Sequence, residues 1–68
     1  MFTVYVNDAK GRQGHWAAAL GLPAWWRADA LHFPTMESAE EFIERMGWIH
    51  DTSVRPGWTT AYVTHGSR

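Results

Sequence analysis

The spacing of apolar residues along this chain shifts from a period of two near its ends to a period close to that of a helix in its middle. Between Phe33 and Trp48, the residues Ala39, Phe42, Ile43 and Met46 fall at i, i+3, i+4 and i+7 and make one apolar stripe, while Glu37, Glu40, Glu41 and Glu44 lie off it. The pattern predicts an amphipathic helix over about 36–46. Thr35 is one candidate for its N-terminal cap; Ser38 is the other, with Glu41 three residues on to reach back. Carboxylates in the first turns suit the positive end of the helix dipole. Gly47 is placed to take the left-handed position after the last turn, with Trp48 folding back on Ile43.

The flanking segments alternate. Residues 2–6 put Phe2, Val4 and Val6 on one face and Thr3 and Tyr5 on the other, a strand that the turn residues Asn7, Asp8 and Gly11 end. Residues 58–64, following Arg55-Pro56-Gly57, predict a second strand by the same alternation. A short third strand, 30–33, is closed by Pro34, and 48–50 extend a fourth out of the helix. Residues 15–29 include three alanines that permit a helical turn or two, but Gly21 and Pro23 stop anything longer, so the segment reads as an aromatic loop. The sum is an α+β fold, a small two-layer domain with an antiparallel three- to four-stranded sheet and one helix packed on one face. Its expected core is Phe2, Val4, Val6, Leu31, Phe33, Ala39, Phe42, Ile43, Met46, Ala61 and Val63.

Composition narrows the classes. At 68 residues, with 46% hydrophobic and 19% charged residues, the chain reads as one globular domain, 1–68. The absence of cysteine excludes disulfides and thiolate metal sites. A net charge of −1 gives no field that steers the protein to duplex DNA or an anionic membrane. No stretch has the features of a signal peptide or a membrane span, so a cytoplasmic protein is the expectation.

Five tryptophans change the picture. Each indole buries roughly 150–250 Å² and needs a partner for its N–H, more than so small a core holds easily. Tryptophan and arginine also dominate binding energy at interfaces, so the surplus predicts a protein that docks on another protein. Trp16, Trp25, Trp26 and Arg27 are the candidate epitope; in an extended segment Trp25 and Trp26 point to opposite sides, leaving one of them for a partner. The plainer alternative is a lid over an open end of the core. Glu37, Glu40, Glu41 and Glu44 are a second candidate surface, a row of carboxylates able to imitate phosphates. Their plainer reading is a solvated face with Glu41 and Arg45 paired at i, i+4.

Other chemistry finds little support. His15, His32, His50 and His65 are spread over four segments without metal-ligand spacing, and no nucleophile, base and orienter are arranged by the sequence. Neither a cofactor nor an enzymatic role is expected. The glycines at 11, 14 and 21 do not form a phosphate loop. Tyr5, Tyr62 and Trp58 offer a stacking platform for single-stranded nucleic acid, but the six cations are scattered rather than grouped along a groove. A homodimer that hides the aromatic surplus is the remaining alternative.

From Trp16 to Trp48 the order of features resembles the family of complex I accessory subunits known as NADH:ubiquinone oxidoreductase iron–sulfur protein 4. The matching pieces are Trp16, Leu20-Gly21, Leu31-His32-Phe33, Glu37-Ser38-Ala39-Glu40-Glu41-Phe42 and Met46-Gly47-Trp48; the turn from His50 to Gly57 has no counterpart in the pattern. The resemblance implies a non-catalytic protein that packs against a large assembly and holds no cofactor of its own. The chain also has the size of phage-encoded proteins that bind and disable a host complex, such as anti-CRISPR proteins.

Overall fold

The computed structural model describes residues 1–18, 20–24 and 30–65. Strand β1 (Phe2–Asn7) lies at the centre of the sheet and pairs antiparallel with β5 (Thr60–His65), placing Val4 beside Val63, Val6 beside Ala61 and Tyr5 beside Tyr62. Alternation along both strands sends Val4, Val6 and Ala61 toward the helix, and all three are fully buried or nearly so.

Among the described residues the sheet has five strands in the order β3-β2-β1-β5-β4 and is mixed rather than antiparallel. The segment 15–29, read as a loop, supplies the second half of β2 (Gln13–Ala17), which pairs with β1, and all of β3 (Leu22–Ala24), which pairs with β2, both antiparallel. Gly14 and Ala17 hide this hairpin by propensity, and Pro23 by its missing N–H. Pro23 is accommodated because β3 is the outermost strand among the described residues, where none of them needs that donor. The chain reverses at Gly21, whose φ of 68° suits glycine, with the N–H groups of Leu20 and Gly21 both bonded to the Ala17 carbonyl.

At the other edge β4 (Ile49–His50) runs parallel to β5. The strand expected at 58–64 starts two residues late, because Trp58 belongs to the preceding turn. The short strand expected at 30–33 shrinks to one bridge, Phe2 with Phe33, through bonds of 2.9 and 2.7 Å. There Phe33 takes up the edge of β1 that β2 leaves free.

Helix α1 (Met36–Met46) matches its expected span, and its ends explain why. The Thr35 hydroxyl accepts the Ser38 N–H at 3.1 Å, so Thr35 is the cap. Gly47, at φ 76°, donates its N–H to the Glu44 carbonyl at 3.0 Å, and Trp48 donates to Ile43 at 3.2 Å, which closes a Schellman motif. Ala39 and Ile43 are buried against Val4, Val6 and Ala61. Phe2, Trp16, Phe33, Phe42, Trp48 and Val63 surround this centre. Burying side chains such as Ile43, Val4 and Val6 contributes about 1.5–3 kcal/mol each. Two expected core residues lie outside the centre: Leu31 is half-buried, and Met46 is 41% exposed because it occupies the last helical turn, at the mouth of a cavity.

Candidate docking surface

Of the residues expected to touch a partner, Trp25, Trp26 and Arg27 lie outside the described residues. Trp16 is half-buried on β2 and packs edge to face on Trp48, so most of it serves the core. Glu37, Glu40, Glu41 and Glu44 are all exposed on α1. The expected Glu41–Arg45 pair does not form; among the described residues the ion pairs are Asp8–Arg12 and Asp51–Arg55.

The second of these pairs shapes a turn whose last residue, Trp58, the alternation pattern assigned to the following strand. Residues 55–58 make a β-turn closed by a 3.0 Å bond from the Trp58 N–H to the Arg55 carbonyl. Pro56 fixes a negative φ at the second position and Gly57 has φ 82° at the third, the combination of a type II turn. Asp51 holds the approach. One carboxylate oxygen accepts the Ser53 N–H at 3.1 Å, while the other accepts from Arg55 Nε and Nη2 at 3.1 and 3.0 Å. These bonds, the Ser53 N–H first and Arg55 after it, hold the Asp51 carboxyl below its ordinary range. The wholly buried Thr60 hydroxyl donates to the Ser53 carbonyl at 2.7 Å and ties the loop to the sheet. The product is a braced loop with Trp58 61% and Val54 56% exposed at its surface.

Near the turn lies a cavity of about 270 Å³, at the end of the sheet next to the helix C-terminus. Val6, Trp16, Pro23, Met46 and Trp48 supply its apolar wall; Asp8, Arg12 and Thr59 supply polar groups, and Gly21 completes it. Asp8 is locked in place. Its carboxylate accepts from Arg12 Nε at 2.8 Å and Nη2 at 2.7 Å and from the Lys10 N–H at 3.2 Å. The Arg12 bond is the main reason its carboxyl sits below the usual aspartate value.

On the sheet face away from α1, the rings of Tyr62, Tyr5 and His15 form a row across β5, β1 and β2, with centroids 5.4 and 5.2 Å apart. Below them the Thr3 hydroxyl lies 3.1 Å from His15 Nδ1 and 2.6 Å from the Thr64 hydroxyl. A hydroxyl beside an imidazole has the parts of a nucleophile and base, but Thr3 has no exposed surface and cannot meet a substrate. The network satisfies buried polar groups. Among the described residues no three histidine or acidic side chains group to hold a metal ion, and no helix is long and apolar enough to cross a membrane.

The chain matches no family model, no curated protein and no solved structure.

Proposed function

We propose that this chain is a non-enzymatic protein-binding module whose anchor is Trp58. The observation that carries the reading is the 61% exposure of that indole on a turn braced by Pro56, Gly57 and the Asp51–Arg55 pair. A large ring held out by a stiff loop loses little conformational entropy on docking. The indole enters an apolar pocket of the partner, and Val54 and Pro56 exclude water around it. The same anchor serves on a larger complex, as an inhibitor or accessory protein requires, or on another small chain. The resemblance of residues 16–48 to a non-catalytic accessory subunit supports the same class. The exposed glutamates of α1 form a separate surface and set the charge of partners that approach it.

The test is affinity capture from the native host with wild-type and Trp58→Ala proteins, quantified by mass spectrometry. A partner held by the wild type and lost by the variant supports the reading. Equal recovery by both sinks it.

A second reading, binding of single-stranded nucleic acid, is favoured by the row Tyr62, Tyr5, His15, which lies across the strands as a stacking platform requires. It is the weaker of the two, because Arg12 and Arg55 are committed to aspartates and leave fewer cations for phosphate. Oligonucleotide that fails to quench the protein's fluorescence at low salt removes it.

A further inference from the structure

We draw no further inference here: the strongest candidate, the cavity of about 270 Å³ at the end of the sheet next to the helix C-terminus, has its charged groups Asp8 and Arg12 committed to each other, and nothing in the structure shows what covers it.

Discussion

Trp16 and Trp48 meet edge to face, with ring centroids 5.0 Å apart and planes at 71°, although one lies on a sheet strand and the other follows the helix. Trp48 in turn meets Phe42 at 5.9 Å, and Phe42 meets Phe33 at 5.3 Å. This series of rings joins the helix to the β2 side of the sheet, while Ile43 and Ala39 join it to the centre. Each such pair adds about 0.5–1.5 kcal/mol beyond the area it buries.

Because Trp48 belongs to two of these pairs, Trp48→Ala is expected to destabilise the fold by on the order of 3 kcal/mol. A domain this small has only a few kcal/mol to lose, so the variant should be largely unfolded at room temperature. Urea unfolding followed by circular dichroism checks this. A midpoint within error of the wild type contradicts the role given to Trp48.

The two ends of α1 predict smaller, separable losses. Thr35→Ala removes the acceptor for the Ser38 N–H and costs about 1 kcal/mol. Gly47→Ala costs about 1 kcal/mol or somewhat more through backbone strain alone, because φ is 76° and a Cβ there meets no atom within 4 Å. Each should lower the melting temperature by about 4–8 °C in a domain of this size. The effects should add, since the sites lie at opposite ends of the helix.

Those caps also explain what was legible in the sequence. The span of the helix was readable because its signals are local, a stripe at helical spacing and a glycine after it, while the choice of Thr35 over Ser38 as cap was left open. Strands β1 and β5 were readable from alternation. The β2–β3 hairpin was not, since Gly14, Ala17 and Pro23 are poor strand formers that pairing with β1 and an edge position render acceptable. Nor was the parallel seating of β4, which depends on where the chain returns after residue 50. Trp25 and Trp26 lie outside the described residues, so the fate of the indole excess is read from the other three tryptophans. Trp16 and Trp48 consume each other's surface, and the exposed indole among the described residues is Trp58, which alternation had placed in a strand and which the turn signal Arg55-Pro56-Gly57 could have reassigned.

Acid should weaken the loops before the core. The carboxyls of Asp8 and Asp51 are both held below the ordinary aspartate value of 3.8 by bonds that exist only in the folded chain. A lowered folded-state pKa gives stability that is fully present above the unfolded value and is lost as pH falls through the folded one. Wild-type stability should therefore decline below 3.8, and Asp8→Asn and Asp51→Asn should each make that decline shallower. Denaturant midpoints measured from neutral to acid pH test the slope; unchanged slopes in both variants contradict the assignment.

The last prediction separates the shape of the 55–58 turn from the ring it carries. Pro56→Gly leaves Trp58 in place but frees the backbone before it, which costs about 0.4–1 kcal/mol through the added freedom of the unfolded turn. Gly57→Ala keeps the proline but forces an L side chain to φ 82°, where no neighbouring atom lies within 4 Å of the new Cβ, so the loss of about 1 kcal/mol is again conformational. If docking depends on a braced indole, both variants bind the partner of Trp58 up to about fivefold more weakly although each keeps the indole itself, and Gly57→Ala keeps Pro56 as well. Stability and affinity should fall together, since one turn conformation underlies both. Paired measurements of unfolding and of sedimentation or capture decide the matter: affinity unchanged in the face of a destabilised turn means that the ring binds without the loop's help, and that the bracing by Asp51 and Arg55 serves the fold alone.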